Sequence, residues 1–246
     1  MEEKWTFYAA FEDRFRGSFQ EIKERVADYL PYVTRQSGDI TSLPALDLGS
    51  GRGEWLTLLG EIGVSALGVD QNPVAVERAQ ALGLNVEVGD IFDSLSAARE
   101  ASHRVVTAFH VVEHLPWELQ VKLFMESRRV LAPQGMLIVE WPNVENLMVA
   151  AQHFWTDPTH SRPLTIPLAA FMAEYAGFEN VEVRRFRKPV FDSPPIPKKK
   201  KGLKHSLSKL LIDPSDTERP VVPPEFLAVS QCMTAGYDVA LICTRH

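Results

Sequence analysis

Cysteine is scarce in this sequence, and long apolar runs are missing. The two cysteines, Cys232 and Cys243, lie near the C-terminus without a set of ligands to complete a metal site, so buried free thiols are expected instead of disulfides or zinc. No apolar run reaches the roughly 18 to 20 residues that span a bilayer, and residues 1–8 lack the basic and apolar regions of a signal peptide. We therefore expect a cytoplasmic protein.

An excess of basic charge is also missing. The formal net charge is -6, which argues against a surface that binds nucleic acid along its whole length. No cluster of acids and histidines has the spacing of a committed metal site, so no metal is expected. Hydrophobic residues make up 45% of the chain and charged residues 24%, values that predict one globular domain with a sizeable core.

Short apolar runs alternate with helical stretches, and this alternation predicts an α/β fold. Strands are predicted at 45–48, 66–70, 85–88, 104–109, 136–141, 181–187 and 237–244, with helices between the first five. This order predicts parallel strands joined by right-handed crossovers. The last strand follows an irregular stretch, which suits an antiparallel final strand in a mostly parallel seven-stranded sheet.

We divide the chain into a helical N-terminal cap at 1–43 and a main domain at 44–246. Within the main domain, residues 188–224 form a proline- and lysine-rich excursion between two strands. Its lysines, Lys198 to Lys201, precede a short helical candidate at 203–211 with leucines largely on one face. This pattern fits a segment on an anionic membrane surface. It equally fits a solvated run beside a helix that packs on its own domain or on a second subunit.

A glycine-rich turn follows the first predicted strand, in the order Asp47, Gly49, Ser50, Gly51 and Gly53. Glycine permits a tight turn and a close backbone approach to a ligand that a Cβ atom would exclude. A nucleotide-like group therefore fits here, although such turns also occur as plain connections between a strand and a helix.

Two acids follow the next predicted strands. Asp70 closes the second strand, with Gln71 beside it, and can accept both ribose hydroxyls of an adenosine. Asp90 follows the third strand and can accept the adenine amino group, while Ile91 lies on the ring face. Either acid alone could be an exposed turn residue. Together with the glycine turn they predict an adenosine site at the carboxyl edge of the sheet.

The segment that starts at Asp47 resembles motif I of the class I S-adenosylmethionine-dependent methyltransferases, D-x-G-x-G-x-G. The resemblance extends through Asp70, Gly89-Asp90 and the segments 110–115 and 131–136, and covers about residues 44–187. It implies S-adenosylmethionine as cofactor and a Rossmann-like fold of seven strands with a reversed last strand.

A narrower resemblance rests on residues 7–18 and on the segment Phe154 to Pro163. These segments are similar to the methyltransferase domain of bacterial enzymes that terminate O-antigen polysaccharides on a lipid carrier. The best-known members carry a kinase and a coiled coil and methylate a terminal phosphate. This chain has no room for the kinase and no heptads, so a phosphate and a sugar hydroxyl both stay open as acceptors.

The resemblances and the chemistry of the side chains together define a set of candidate site residues. Arg16 could bind the methionine carboxylate, and His160 or His110 could act as general base on a hydroxyl acceptor. Glu113 and His114 cannot both point inward from a helical turn, so His110 and Glu113 are favoured. The cofactor candidates are Asp47, Gly49, Ser50, Gly51, Gly53, Asp70, Gln71, Asp90, Ile91, His110 and Arg16. The acceptor candidates are Arg14, Tyr8, Glu113 and Arg162.

Each of these assignments has a plainer alternative. The arginines could form surface ion pairs, His160 could only hold its loop by a hydrogen bond, and Glu113 could cap or support the backbone. The whole domain could likewise be a catalytically silent scaffold or sensor in a glycan-assembly complex, or a methyltransferase of a small molecule. RNA is disfavoured as an acceptor by the acidic composition.

The expected partners follow from the narrower resemblance. They are a lipid-linked glycan acceptor, other glycan-assembly enzymes or a second copy of the chain, and the inner face of the cytoplasmic membrane through weak peripheral contact. No nucleic-acid partner is expected.

Overall fold

A computed structural model of the chain describes residues 2–186, 232 and 235–245. Within them, seven strands form one sheet in the order β3-β2-β1-β4-β5-β7-β6. The strands are β1 (Ala45–Leu48), β2 (Ala66–Asp70), β3 (Val86–Val88), β4 (His103–Phe109), β5 (Leu131–Pro142), β6 (Asn180–Phe186) and β7 (Asp238–Thr244). The first five strands are parallel, and β7 lies antiparallel between β5 and β6. The Rossmann-like fold with a reversed last strand is confirmed.

Helices precede the sheet and connect its strands. They are α1 (Glu2–Phe15), α2 (Phe19–Val26), α3 (Leu30–Thr34), α4 (Glu54–Glu61), α5 (Pro73–Ala81), α6 (Ile91–Ala97), α7 (Trp117–Val130), α8 (Phe154–Thr156) and α9 (Ile166–Tyr175). Local sequence explains where several of them begin. The Asn72 side chain caps α5, which has Pro73 in its first turn, and Ser18 and Glu21 form a capping box at α2.

The start of β5 differs from the prediction. The strand begins at Leu131 and not at 136, because Leu131 already pairs with His103 before the register shifts and Met136 pairs with Val105. The residues between them, which read as a turn, form an irregularity in which Gln134 adopts a positive φ of 65°.

Alternate residues of the strands build a core on each face of the sheet. One core joins the sheet to α6, α7 and α9 and includes the buried Phe124 and Trp141. The other joins it to α2, α3 and α4 and includes Val26, Tyr29 and Val33. The segment predicted as an N-terminal cap therefore has two parts. Helix α2 and the residues that follow it belong to the core, whereas α1 lies across the clefts described below.

The excursion predicted at 188–224, with its lysine run, lies outside the described residues. Its two flanking strands are described, and Phe186 at the end of β6 pairs with Asp238 at the start of β7. Both cysteines are free, but only Cys243 is buried as predicted, and burial raises the pKa of its thiol to about 12, whereas Cys232 is exposed. Among the described residues no helix has the length and apolar character needed to cross a bilayer.

Candidate active site

The glycine turn after β1 has three glycines with positive φ, at 71°, 53° and 88° for Gly49, Gly51 and Gly53. At two of these positions, close packing leaves no room for any residue larger than glycine. A Cβ atom would come within 2.4 Å of Val111 at Gly49 and within 2.3 Å of Leu84 at Gly53. At Gly51 the nearest atom would be Nη1 of Arg16, at 3.9 Å. Gly51 is therefore the glycine that leaves room for a ligand to approach the backbone.

Asp47 and Ser50 lie beneath this turn. Asp47 is only 2% exposed, its Oδ1 accepts a hydrogen bond of 2.6 Å from the Thr107 hydroxyl, and burial raises the pKa of its carboxyl to about 7. The Ser50 hydroxyl is buried too. The structure therefore places Asp47 and Ser50 as supports of the turn, and it does not bring their side chains to the ligand space where contacts were predicted.

A first cleft of about 480 Å³ opens beside the glycine turn at the carboxyl ends of β1 to β4. It gathers most of the predicted cofactor residues, together with side chains of α1. Those candidates are Gly49, Asp70, Gln71, Asp90, Ile91, His110 and Arg16. Pockets of this size are typical of small-molecule sites.

The two acids of the first cleft are held in place by backbone groups. Asp70 accepts the N–H groups of Gly51 and Asn72, each at 2.8 Å, and burial raises the pKa of its carboxyl. Asp90 caps α6 by accepting the Phe92 N–H at 2.7 Å, and its other oxygen accepts from Gln71 at 2.8 Å. Since a carboxylate oxygen has two lone pairs, Asp70 keeps acceptor capacity for ribose hydroxyls.

A second cleft of about 460 Å³ adjoins the first. Both clefts are lined by one set of residues from α1 and from the segment after β4. These shared residues are Tyr8, Glu12, Arg16, His110 and His114. Arg16 forms an ion pair of 2.6 Å with Glu12. The two clefts therefore meet at a junction that could hold two ligands side by side.

His110 stands at the junction with an unusual backbone. Its φ is positive, at 57°, and both ring nitrogens contact acids, Nδ1 at 3.1 Å from Glu113 and Nε2 at 3.1 Å from Glu140. Burial opposes a charge on the ring, but the two hydrogen bonds outweigh it and raise the pKa of His110. With both nitrogens engaged, His110 is placed to carry charge and to position these acids.

His160 lies on the second cleft. Its Nδ1 is 2.6 Å from the carbonyl oxygen of Phe154, and because a carbonyl can only accept, Nδ1 carries the proton. The free lone pair is therefore on Nε2, which lies 3.9 Å from Glu113 Oε1 and 3.9 Å from Asp157 Oδ2. Burial lowers the pKa of this ring, which favours its neutral form.

We expected Glu113 and not His114 to face the site, but His114 lines both clefts and Glu113 lines neither. Both residues belong to a 3-10 helix, Val112–His114, in which Glu113 is fully buried against His110. The tighter turn replaces the α-helical spacing on which the expectation was based.

Four acids of the second cleft were not predicted as site residues, and Glu12, the ion-pair partner of Arg16, is one of them. Glu140 and Asp238 lie at the junction of β5 and β7, and Asp157 accepts a hydrogen bond of 2.9 Å from the Tyr8 hydroxyl. Glu140 could have been predicted, because an acid between Val139 and Trp141 in an otherwise apolar strand is unusual and suggests a functional role.

Two predicted acceptor residues lie elsewhere. Arg14 is exposed on the last turn of α1, over the ring of Phe15, and Arg162 is exposed after the loop of His160. Neither lines either cleft. The structure brings Tyr8 to both clefts and buries Glu113 against His110, which lines them, but it does not bring these arginines there.

Comparison with known proteins agrees with this geometry. Residues 15–183 match the sequence model of a family described as a methyltransferase domain. No curated protein sequence matches the chain at a significant level.

Solved structures share the fold over nearly the whole chain. A SAM-dependent methyltransferase from Archaeoglobus fulgidus has a TM-score of 0.76 and 26% identity, covering 97% of this chain and 100% of that one. Phosphoethanolamine N-methyltransferase 2 from Haemonchus contortus, in complex with S-adenosyl-L-methionine, has a TM-score of 0.58 and 16% identity, covering 96% and 59%. Magnesium protoporphyrin IX methyltransferase from Synechocystis, with bound SAH, has a TM-score of 0.55 and 14% identity, covering 92% and 83%. Because the family match covers well over half of its length, the chain belongs to the methyltransferase-domain family.

Proposed function

We propose that this S-adenosylmethionine-dependent methyltransferase acts on a hydroxyl group of the terminal sugar of a lipid-linked polysaccharide of the O-antigen class. The general activity and the cofactor follow from the family and the fold. The junction between the two clefts carries the proposal, since it can place a methyl donor in the first cleft against an acceptor in the second.

The first cleft suits the cofactor. The glycine turn borders this cleft at Gly49 and has an open Cβ position at Gly51, and Asp70 and Asp90 offer carboxylate oxygens to the ribose and adenine of the cofactor. The cofactor supplies a methyl group on a sulfonium, activated for in-line displacement. The protein then has to bind and orient the acceptor hydroxyl. Its oxygen forms the new O–C bond as the S–C bond breaks, and the hydroxyl proton leaves to water in the open cleft.

The charge of the second cleft favours a hydroxyl over a phosphate. Its described lining includes four acids, Glu12, Glu140, Asp157 and Asp238, against two arginines, Arg16 and Arg25. Carboxylates accept hydrogen bonds from hydroxyl groups but repel a phosphate. Aromatic side chains on the same cleft suit the apolar face of a sugar ring. They are Tyr8, Phe11, Phe15 and Tyr237.

A contact between two distant segments supports the polysaccharide acceptor. The Tyr8 hydroxyl donates to Asp157, and these residues belong to the two segments that resemble O-antigen chain-terminating enzymes. Both segments line the second cleft. The narrower resemblance therefore concerns the wall of one cleft, where an acceptor would bind.

Methyl-labelled cofactor provides the test. We expect label to enter a lipid-linked oligosaccharide that ends in a hydroxyl, as an alkali-stable ether, and not the same acceptor ending in phosphate. Gly51→Val serves as the inactive control. Transfer only to the phosphate, or only to small-molecule hydroxyls, would overturn the acceptor, whereas absence of cofactor binding in calorimetry would indicate a silent scaffold.

A further inference from the structure

Three side chains with metal-binding atoms converge where the two clefts meet. Glu113, His114 and His160 each offer one such atom, and these atoms lie within 4.8 Å of one another. The residues come from two separate segments, which the hydrogen bond of 2.8 Å from the Ser161 N–H to the Glu113 carbonyl holds together. The cluster is thus fixed by the fold.

Glu113 has an unpartnered oxygen at this cluster. Its side chain is fully buried; Oε1 contacts His110 and lies 3.9 Å from His160 Nε2, and Oε2 accepts no hydrogen bond from another described residue. Burying a carboxylate oxygen without a partner is costly, so native structures nearly always supply one. The unpartnered oxygen points to a ligand that completes its surroundings.

Hydrogen bonds at Nδ1 fix the tautomer of both histidines, so that the neutral ring of each has its lone pair on Nε2. The Thr159 hydroxyl donates its one hydrogen to Asp157 Oδ1 at 2.6 Å, so at 2.9 Å it can only accept from His114 Nδ1. His160 Nδ1 donates to the Phe154 carbonyl in the same way. Fixing one ring nitrogen by a hydrogen bond, so that the other faces the ion, is the usual arrangement of metal-bound histidine.

A neighbouring cluster of similar composition provides a contrast. His110, Glu140 and Asp238 also lie close together, but His110 contacts an acid through each ring nitrogen, and Glu140 also accepts from the Tyr29 hydroxyl. Glu140 in that cluster accepts hydrogen bonds from neighbouring side chains, and both nitrogens of its histidine are already engaged.

We propose that Glu113, His114 and His160 bind one divalent transition-metal ion. Two neutral imidazoles and a carboxylate are a set that suits zinc and its neighbours, and three protein ligands leave a coordination position open. Tetrahedral ligands at a bond length of about 2.1 Å lie about 3.4 Å apart, so the 3.9 Å between His160 Nε2 and Glu113 Oε1 closes by a small side-chain rotation.

The open position faces the second cleft, which His114 and His160 line. Resting on the function proposed above, the ion would hold the acceptor hydroxyl and lower its pKa, so that its proton passes to water before transfer. His160 would then be a ligand, in place of the general base predicted from sequence, and the expectation that no metal binds would not hold.

Metal binding can be measured without any turnover. The full chain, freed of metal by chelation, is titrated with Co²⁺ by visible absorption and with Zn²⁺ and Mg²⁺ by calorimetry. We expect one Co²⁺ and one Zn²⁺ per chain, with Mg²⁺ bound more weakly. His114→Ala and His160→Ala should each weaken binding at least tenfold, and Thr159→Ala should weaken it less.

His153→Ala is the matched control, since this exposed histidine lines the second cleft outside the cluster and its removal should leave the metal affinity unchanged. Circular dichroism of each variant establishes folding. Absence of saturable binding, tighter binding of Mg²⁺, or equal affinity in His114→Ala and wild type would overturn the site. Cofactor binding to the chelated protein is measured in parallel, so a failed metal site is distinguishable from a failed methyltransferase assignment.

Discussion

Gly49, Gly51 and Gly53 all have positive φ, but their surroundings differ. At Gly49 and Gly53 a side chain would collide with Val111 and Leu84, whereas at Gly51 it would enter open space next to Arg16. The motif was predicted from sequence as one unit. Two of its positions are closed by packing and one is open, and this difference depends on neighbours far along the chain, which spacing alone does not reveal.

Gly51→Val should abolish cofactor binding, because the branched side chain occupies the space that the ligand needs. The matched variant is Gly63→Val, since Gly63 has a φ of 74° and nothing within 4 Å of a built Cβ. Both variants carry the strain of a left-handed valine, on the order of 1 to 2 kcal/mol, and should lose similar thermal stability. Calorimetry on folded Gly51→Val that gave wild-type affinity would refute the assignment.

Asp47→Asn should change the pH dependence of stability. The folded-state pKa of Asp47 is raised to about 7 by burial, against about 3.9 when unfolded, so the folded state binds more protons between these values. The contribution of Asp47 to wild-type stability therefore falls as pH rises from about 4 to about 7. Asparagine keeps an oxygen for the Thr107 hydroxyl but does not ionise.

We expect the free energy of unfolding of Asp47→Asn, relative to that of wild type, to increase through this pH window by on the order of 3 kcal/mol. Urea unfolding of the cofactor-free proteins at pH 5 and pH 8 measures it. The same difference at both pH values would mean that Asp47 is not held protonated.

At the scale of elements, α1 and the loop 157–160 act as one wall of the second cleft. Their link is the bond from the Tyr8 hydroxyl to Asp157, and burial, followed by the nearby Asp157 charge, raises the pKa of Tyr8. Tyr8 therefore remains a hydrogen-bond donor across the physiological range.

Tyr8→Phe should raise the KM for the acceptor by about 2- to 10-fold, because a hydrogen bond contributes roughly 0.5 to 1.5 kcal/mol while the ring still fills its place. Steady-state kinetics with the true acceptor measures the change. Tyr175→Phe is the control, since Tyr175 is 67% exposed and lines neither cleft. An unchanged KM would show that the link does not shape the acceptor site.

Elements with strong local signals were predictable, and those that depend on tertiary pairing were not. The first four strands and their crossover helices follow from apolar runs and caps such as Asn72. The early start of β5 was hidden because Pro133 and Gly135 read as a turn. Likewise, Glu140 meets His110 because β5 pairs with β4, and Asp238 does so because β7 pairs with β5.

For the whole molecule, the order of the strands explains where the site lies. The chain runs outward from β1 to β3 and then returns to place β4 on the other side of β1. Crevices at the carboxyl edge form where the order reverses in this way. The first cleft lies at this reversal, and α1 covers it from above. The membrane contact expected of Lys198 to Lys201 concerns residues outside the described chain and stays a prediction.

The pairing of Phe186 with Asp238 has a consequence for how this family member can vary. Because β6 and β7 are adjacent antiparallel strands, the last residue of β6 and the first residue of β7 lie side by side, whatever the length of the connection between them. The entropy of closing a loop grows only with the logarithm of its length, so the sheet tolerates connections of very different length at this point. Asp238 also lines the second cleft. If the second cleft binds the acceptor as proposed, we expect a change in the length of this connection to alter acceptor selectivity and to leave cofactor binding in the first cleft unchanged.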